Sequence, residues 1–231
     1  MIGARFLDAQ RAPQPKGCGF SKHVDMKIIL MGPQGSGKGT QAEFLSKEFK
    51  IPPISAGQLL RQTNGKIKEE IEDYINNGKL VPNDLVIKII KNRISESDCK
   101  NGFILDGFPR SLEQAKELDK ITKIDFVIEI TLNDEEAIRR LSSRLNCPKC
   151  GALYNILTKI PKRANICDLC LSNLIKRDDD KEEAIKKRLE IYHTETRKLK
   201  SHYPKDKLII IDGSYEIKEV WKSINHQNLK R

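Results

Sequence analysis

The sequence predicts an α/β fold of three layers, in which helices cover both faces of a parallel five-stranded sheet. Short apolar runs alternate along the chain with longer stretches of helical spacing, and this alternation is typical of parallel strands joined by helices. A glycine-rich turn directly after the first apolar run, the mark of a P-loop, supports the same fold class. The chain has 231 residues, which is enough for one domain with small inserts.

Four short apolar runs predict buried strands, because they are rich in branched aliphatic residues. They lie at residues 27–31, 103–105, 125–131 and 208–211. Apolar residues at helical spacing predict helices at residues 39–49, 67–77, 84–95, 111–120, 133–145, 181–202 and 216–224. Asn83 is predicted to cap the helix that begins at residue 84, because an asparagine side chain can accept a backbone hydrogen bond there.

Composition and charge narrow the function classes. Hydrophobic residues make up 38% and charged residues 32% of the chain, as expected for a soluble globular protein. No apolar run approaches the roughly 18 residues that a membrane helix needs, so no membrane span is expected. The formal net charge of +10 favours an anionic partner, either nucleic acid, a membrane surface or a phosphorylated small molecule. The alternative is that most of the lysines only solvate helix faces.

The first 25 residues differ from the rest of the chain. No helical or strand period runs through them, and residues 11–19 hold two prolines and two glycines. We predict a flexible N-terminal extension at residues 1–25 and a folded domain at 26–231. An organelle-targeting segment and an overlong start of the chain are the alternatives. Without an apolar signal segment the protein is expected in the cytoplasm, where close pairs of cysteines indicate metal binding.

The strongest local motif is GPQGSGKGT at residues 32–40, between a predicted strand and a predicted helix. In this setting glycines let backbone N–H groups wrap a phosphate, and the helix N-terminus adds partial positive charge. Lys38 is expected to reach the β- and γ-phosphates of a nucleotide. Gly39 stands where the general pattern has a serine or threonine ligand for Mg²⁺, and Thr40 comes one residue later.

A second motif, DGFPR at residues 106–110, follows a predicted strand. Asp106 ends that strand, where a carboxylate can hold magnesium through water. Arg110 lies just beyond it and is placed to grip a phosphate with two donors. The alternative is an ordinary turn at a strand end with a surface arginine.

Four of the six cysteines form two close pairs, Cys147-x2-Cys150 and Cys167-x2-Cys170, with 16 residues between the pairs. Two CxxC turns at this spacing are typical of a tetrahedral zinc site. Because four thiolates fill every position around such an ion, we predict a structural zinc with no open catalytic position. Two disulfides or idle thiols are the alternative.

Together these motifs resemble the adenylate kinase family over about residues 26–225. Residues 32–40 resemble its GxxGxGKGT loop, and residues 106–114 resemble its DGFPR-x3-Q run. Residues 54–61, with the sequence ISAGQLLR, are similar to the family segment that binds the nucleoside monophosphate. Residues 177–188 begin with RDDD and end in arginine, like the family's R-x-D-D…R pattern.

The resemblance implies a role for each motif. The residues implied in ATP binding are Gly35, Ser36, Gly37, Lys38, Gly39, Thr40, Arg140 and Arg144. The residues implied in AMP binding are Ala56, Arg61, Gly107, Arg110, Gln114, Arg177 and Arg188. The residues implied in catalysis, around the phosphates in transfer, are Lys38, Arg110, Arg144, Arg177 and Arg188. Gln114 would bond the adenine of AMP, and Arg140 would lie against the adenine of ATP.

The resemblance also implies inserts and ions. A helical AMP-binding insert is expected at residues 55–84, and a small zinc-binding lid at residues 146–176. Asp106 would hold Mg²⁺ through water. The expected zinc ligands are Cys147, Cys150, Cys167 and Cys170. Because the lid is too small to bury much core, the metal would replace core in holding it together.

The implied reaction is the reversible, Mg²⁺-dependent transfer of a phosphoryl group from ATP to AMP, which gives two ADP. ATP and AMP are the expected partners of a monomer, without nucleic acid or membrane. Ala56 and Gln58 replace the family's usual threonine and aspartate, so a kinase for another nucleoside monophosphate, UMP or CMP, is the nearest alternative. A zinc-ribbon protein that binds nucleic acid is a more distant one, and the aromatic content of only 6% argues against it.

Overall fold

The computed structural model describes residues 25–64, 66–227 and 229, of which residues 66 and 67 are described by their backbone alone. The predicted N-terminal extension, apart from Asp25, lies outside the described residues. The strands are β1 Met26–Met31, β2 Pro53–Ser55, β3 Gly102–Asp106, β4 Phe126–Thr131, β5 Arg144–Asn146, β6 Leu153–Asn155 and β7 Leu208–Asp212. The helices are α1 Lys38–Phe49, α2 Ala56–Arg61, α3 Lys66–Asn76, α4 Asn83–Ile94, α5 Leu112–Ile121, α6 Asp134–Ser142, α7 Glu182–Thr194 and α8 Ile217–Asn225.

Five of these strands form one parallel sheet in the order β2-β3-β1-β4-β7. Helices pack on both faces of the sheet, so the predicted three-layer α/β fold class is confirmed. Since all five strands run in one direction, their carboxyl ends meet at one edge. The register pairs Asp106 with both Leu30 and Ser55, so the glycine-rich motif at 32–40 and the DGFPR motif at 106–110 leave the sheet at this edge.

The alternation of side chains along β1 explains the three layers. Ile28 and Leu30 are fully buried in a core that α1 and α8 complete. Ile29 and Met31 are fully buried on the opposite face, against helices α2 to α5. Each such side chain contributes about 1.5–3 kcal/mol to folding when it leaves water. The sheet is therefore held from both sides, and it provides a rigid edge for the loops that follow its strands.

Two smaller segments lie outside the central sheet. Helices α2, α3 and α4 follow one another between β2 and β3. The antiparallel pair of β5 and β6 lies between α6 and α7, around a small core of Leu145, Cys147, Tyr154, Cys167 and Leu174. Among the helices of the described residues, none combines the length and the apolar character that crossing a bilayer requires.

The single helix predicted at residues 181–202 is wrong. Helix α7 ends at Thr194, and a separate 3₁₀ helix covers Thr196–Ser201. At the break, the buried hydroxyl group of Thr196 donates a hydrogen bond to the carbonyl oxygen of Arg110 at 3.0 Å. A tertiary contact of this kind overrides the helical spacing of the local sequence.

Two further boundary predictions are wrong for similar reasons. The helix predicted at 133–145 ends at Ser142, because Arg144 begins β5 and pairs with Asn155 of β6. Asn83 is not a helix cap but the first residue of α4, and its side chain bonds instead to residues of α5. No sequence pattern predicted β2, since this three-residue strand has no apolar run of its own.

Candidate functional site

The glycine-rich loop turns sharply between β1 and α1. Gly32 has a φ of 139° and Gly37 a φ of 93°, both in the left-handed region that favours glycine. A Cβ atom on Gly32 would lie 2.2 Å from the carbonyl oxygen of Ile130, so the position has no room for a side chain. Helix α1 begins at Lys38, and the unpaired N–H groups of its first turn therefore lie beside the loop. Such a helix end attracts anions.

The side chain of Lys38 folds back across this loop. Its Nζ donates to the carbonyl oxygens of Gly32 at 2.9 Å and Pro33 at 2.7 Å. Burial lowers the pKa of Lys38 to about 8, although the carboxylate of Asp106 opposes the change. Nearby arginines lower this pKa further. A phosphate bound in the loop would add negative charge to the mostly basic surroundings of Lys38.

Asp106 ends β3 next to the first turn of α1. A Cβ atom on Gly39 would lie 3.6 Å from Asp106 Oδ2, which is an ordinary contact distance. Burial raises the pKa of the Asp106 carboxyl group, while Lys38 and Arg110 act in the opposite direction. A carboxylate oxygen suits Mg²⁺, and a bound cation would offset the cost of burying this charge. The residue therefore fits a magnesium site beside the loop.

Two buried carboxylates hold arginine side chains around the same cleft. Asp179 Oδ2 accepts from Arg61 Nη2 at 2.8 Å and from Arg188 Nη1 at 2.9 Å. Asp180 accepts from Arg144 with both oxygens, at 2.5 and 2.8 Å. Arg188 Nη2 also reaches Asp180, at 3.0 Å. Because each of the two carboxylate side chains is only 4% exposed, these ion pairs fix α2, β5 and α7 relative to one another.

Basic side chains outnumber acidic ones around the cleft. The basic ones are Lys38, Arg61, Arg110, Arg140, Arg144, Lys159, Arg177, Arg188 and Lys218. The acidic ones are Asp106 and Glu216, which line the cleft, and Asp179 and Asp180, which pair with its arginines. Burial lowers the pKa of Arg177 to about 9, with Arg144 and Arg61 adding to the effect. Arg177 Nε is buried and has no hydrogen-bond partner among the described residues. A group with several anionic oxygens would supply the partners that these donors lack.

The structure brings the predicted nucleotide-binding residues together at the carboxyl edge of the sheet. All of them except Ser36, Ala56 and Gln114 line one cleft of about 690 Å³. Ser36 is buried within the loop. Ala56 and Gln114 border a smaller cavity of about 60 Å³, which shares Arg61, Gly107, Arg110 and Arg188 with the cleft.

Gln114 is buried between two neighbouring elements. Only 2% of the residue is exposed. Its Oε1 accepts a hydrogen bond from the backbone N–H of Arg110, and its Nε2 donates to Asn83 Oδ1, both at 2.8 Å. The side chain of Arg110 folds back on its own loop, because its Nε donates to the carbonyl oxygen of Gly107 at 2.8 Å. These bonds hold the motif at residues 106–110 in one conformation.

Arg140 also lines the cleft. Its Nε donates to Glu136 at 2.7 Å, and its Nη1 donates to the carbonyl oxygen of Gly213 at 2.9 Å. Arg140 thus connects α6 to the loop between β7 and α8. The exposed Tyr215 lines the cleft as well, so its ring and the guanidinium group of Arg140 each offer a flat face to a ligand.

The four paired cysteines converge in the segment of β5 and β6. Their sulfur atoms lie within 4.8 Å of one another. Cys147 Sγ is 3.3 Å from Cys170 Sγ, and Cys150 Sγ is 3.5 Å from Cys167 Sγ, so none of the four is in a disulfide. Four thiols around one point are the ligand set that zinc prefers. The residues present therefore fit a zinc ion.

Sequence reasoning missed several residues that shape the cleft. Asp179 and Asp180 were recognised only as part of a pattern, although they anchor three of the arginines. The position of these acids two and three residues after Arg177 was the available signal. Nothing in the local sequence indicates that Thr196 would bond the carbonyl group of Arg110, or that Asn83 would bond Gln114.

Comparison with known proteins agrees with this geometry. A family model described as adenylate kinase matches residues 30–208. An adenylate kinase of Caldicellulosiruptor bescii is 44% identical over 208 residues, which cover 86% of this chain and 97% of the relative. An adenylate kinase of Methanocella arvoryzae is 47% identical over 204 residues, which cover 84% of this chain and 94% of the relative. An adenylate kinase of Archaeoglobus fulgidus is 42% identical over 208 residues, which cover 86% of this chain and 96% of the relative. The chain therefore belongs to the adenylate kinase family of phosphotransferase enzymes.

Proposed function

We propose that the chain transfers the terminal phosphoryl group of ATP to AMP, in a reversible, Mg²⁺-dependent reaction that gives two ADP. The observation that carries the proposal is the excess of arginine side chains, buried or half-buried, around one cleft beside a glycine-rich loop. The cleft volume of about 690 Å³ is typical of a site for small molecules. Membership of the adenylate kinase family supports the same reaction.

The two nucleotides would enter from opposite ends of the cleft. ATP would place its phosphates in the loop at Lys38 and its adenine beside Arg140. AMP would place its phosphate between Arg61 and Arg110, with its adenine beside Gln114. The phosphates of both would then meet in the middle, where the remaining arginines lie.

The transfer would depend on alignment and positive charge. The attacking oxygen belongs to the phosphate of AMP and is already anionic, so no strong base is needed. Arg144, Arg177 and Arg188 would face the charge that spreads over the transferred group, and their forked donors stay charged in a buried site. Ion pairs to Asp179 and Asp180 hold two of these three arginines before any substrate binds.

Magnesium, when bound with ATP, would neutralise part of the phosphate charge. Asp106 would hold it through water at the end of β3. The raised pKa of this carboxyl group supports the assignment, because a buried carboxylate beside a cation is less costly than one without.

We further propose that residues 55–84 form the AMP-binding insert and residues 146–176 a lid held by zinc. Cys147, Cys150, Cys167 and Cys170 would hold the ion. Arg144 and Arg177 flank the lid, so its closure would bring both toward the phosphates and exclude water. The two segments touch, since a Cβ atom on Gly151 would lie 2.7 Å from Gln58 Nε2.

The remaining parts of the proposal concern the setting of the enzyme. Every residue assigned to the site lies after residue 25, which supports a dispensable extension at residues 1–25, and we propose a monomer. Thiolate ligands for zinc suit a reducing compartment such as the cytoplasm. The arginines are enclosed in a cleft by ion pairs, which favours small phosphorylated substrates over nucleic acid or a membrane surface.

UMP or CMP is the second candidate acceptor, because Ala56 and Gln58 differ from the residues that are usual at these positions in the family. Alanine at position 56 offers no hydroxyl group to a nucleoside, so one hydrogen bond of the family pattern is absent. The buried amide of Gln114 favours AMP, because it would be left unsatisfied by a smaller base.

The test is ADP formation by purified protein with Mg·ATP and a panel of AMP, GMP, CMP and UMP. We expect the highest kcat/KM with AMP. Turnover with UMP that equals or exceeds turnover with AMP would overturn the acceptor assignment. No ADP with any of the four would overturn the phosphotransfer to nucleoside monophosphates.

A further inference from the structure

A chain of side-chain hydrogen bonds runs from the surface of the molecule to Gln114. Glu113 Oε2 accepts from Asn83 Nδ2 at 2.5 Å, and Asn83 Oδ1 accepts from Gln114 Nε2 at 2.8 Å. Gln114 Oε1 then accepts from the backbone N–H of Arg110 at 2.8 Å. We call these four residues the amide chain. It joins the first residue of α4 to the first turn of α5 and to the phosphate-binding motif before it.

The chemistry at its two ends gives the amide chain a single direction. A backbone N–H can only donate, so Gln114 must turn its oxygen toward Arg110. An ionised carboxylate can only accept, so Asn83 must turn its NH₂ group toward Glu113 and its oxygen toward Gln114. Rotating either amide by half a turn would bring two donors or two acceptors face to face. Each amide is therefore held in one of its two orientations.

The locked orientation determines what Gln114 can offer a ligand. After its two bonds within the protein, the amide has one N–H donor and one oxygen lone pair left. Gln114 borders the small cavity beside Arg110, where the proposed function puts the base of the acceptor. Adenine presents an amino donor beside a ring nitrogen acceptor, whereas guanine presents a carbonyl acceptor beside an N–H donor. A freely rotating amide would suit both bases, but a locked one suits only one of them.

We propose that Asn83 is a positioning residue, which locks the amide of Gln114 and so makes the acceptor site select adenine over guanine. The inference rests on the proposed function, because it takes AMP as the acceptor. Asn83 acts through Gln114 and has no contact of its own with the reacting phosphates. Arg110 provides the first lock through its backbone, and Asn83 provides the second through its side chain.

The first test is Asn83→Leu, which removes both hydrogen bonds of this side chain and keeps its approximate size. Steady-state rates are measured with AMP and GMP at saturating Mg·ATP, together with KM for ATP. Loss of one hydrogen bond to the amide should raise KM for AMP about three- to tenfold. It should lower the ratio of kcat/KM for AMP to that for GMP by about the same factor. kcat with AMP should change much less than KM, and KM for ATP should stay constant.

Moving the carboxylate from position 113 to position 83 tests whether the hydrogen bonds of the amide chain matter, rather than the shape of the side chain at position 83. Asn83→Asp alone places two carboxylates 2.5 Å apart and should weaken AMP binding. The double variant N83D/E113Q introduces a donor at position 113, which reverses the bond between residues 83 and 113, and it keeps an acceptor toward Gln114. We expect it to recover the selectivity of the wild type. Asp84→Asn, at the exposed next position of α4, is the matched control and should alter neither KM nor selectivity.

The outcomes separate this inference from the proposed function. A wild type that leaves AMP unphosphorylated overturns both. A wild type that uses AMP, with Asn83→Leu equal to it in KM and in the AMP-to-GMP ratio, overturns the inference alone. The inference alone is also overturned if kcat of Asn83→Leu falls for every acceptor in parallel with its melting temperature. The same holds if N83D/E113Q is no more selective for AMP than Asn83→Asp. Recovery in N83D/E113Q, with selectivity lost in Asn83→Leu, supports it.

Discussion

Lys38→Met should stabilise the protein without nucleotide while it removes most of the activity. Burial, opposed in part by Asp106, lowers the pKa of Lys38 from its ordinary 10.5 to about 8. At neutral pH the folded protein therefore holds a charge that its surroundings disfavour. Methionine keeps a long apolar side chain at this position and removes the charge.

The size of the effect follows from the two pKa values of Lys38. Between about pH 8 and pH 10.5 the unfolded chain holds the proton and the folded chain does not. Stability of the wild type therefore rises with pH through this window, and the full penalty is present below pH 8. At about 1.36 kcal/mol for each pH unit, the penalty is on the order of 3 kcal/mol. The bonds to Gly32 and Pro33, about 1 kcal/mol each, offset most of it, and about 1 kcal/mol of net stabilisation remains at pH 7.

Thermal unfolding without nucleotide, at pH 7 and at pH 9.5, measures the stability difference. A gain of about 1 kcal/mol corresponds to a rise of about 2–4 °C in Tm for a domain of this size. A coupled assay of ADP formation should show kcat lower by roughly 10²- to 10³-fold, the usual effect of removing one electrostatic stabiliser. Lys47→Met, at an exposed position of the same helix, is the control and should change neither quantity.

Three results would refute the reasoning. A variant less stable than the wild type by more than about 1 kcal/mol would show that the loop bonds of Lys38 outweigh its burial. A stability difference that does not shrink between pH 7 and pH 9.5 would contradict the lowered pKa. Turnover near that of the wild type would remove Lys38 from catalysis.

The other predictions concern the zinc ligands and the buried acids. The double variant Cys147→Ser/Cys167→Ser should lose metal binding and have a lower Tm. At temperatures well below Tm, its turnover should fall far less than that of Lys38→Met. Metal analysis should find about one zinc per chain in the wild type and in the control variant Cys99→Ser. A metal-free wild type, or a stable double variant without activity, would contradict this. Asp179→Asn should lower the free energy of unfolding, measured in urea at pH 7, by about 3 kcal/mol, because it breaks a buried ion pair. Asp178 is exposed, so Asp178→Asn should change this free energy little. Burial raises the pKa of Asp179, but the four nearby arginines, with Arg61 and Arg188 foremost, together lower it by more. The contribution of the ion pair is therefore present above the ordinary 3.8 and is lost as pH falls below that value. A difference between Asp179→Asn and wild type that persists unchanged at pH 3 would be inconsistent with that charge.

Four of the seven described strands could be predicted, because each of the four carries its own apolar run. The apolar run at 27–31 matches β1, and the run at 208–211 lies within β7. β2 carries no such signal, since it begins with Pro53 and exists only through its pairing with β3. The break after Thr194 likewise depends on a contact with a distant loop. Pattern analysis detects periodicity within a segment, and it has no access to a partner that is far away in sequence.

The zinc ligands of the candidate site could be predicted from the sequence itself, whereas the arginines could not. The four cysteines were predicted to meet and do so, because their spacing reports a geometry that zinc demands. The arginines were identified only through a family resemblance, since a single arginine carries no local signal. The structure brings them to one cleft, while their individual roles stay predictions. The direction of the amide chain could not be predicted, because it arises where α4 and α5 pack together.

The short acidic segment that follows Arg177 explains how so many arginines can share a cleft before any phosphate arrives. Without Asp179 and Asp180 the buried guanidinium groups would repel one another and open the site. With a carboxylate for every arginine, the cleft would have no remaining attraction for an anion. The observed state lies between these limits. Arg61, Arg144 and Arg188 are paired, while Arg177 Nε has no hydrogen-bond partner in the described part of the chain. The pairs keep donors in position so that little reorganisation accompanies the reaction, and the uncompensated charge leaves binding energy for phosphate. Because one three-residue turn provides both carboxylates, a change there should alter α2, the lid and α7 together.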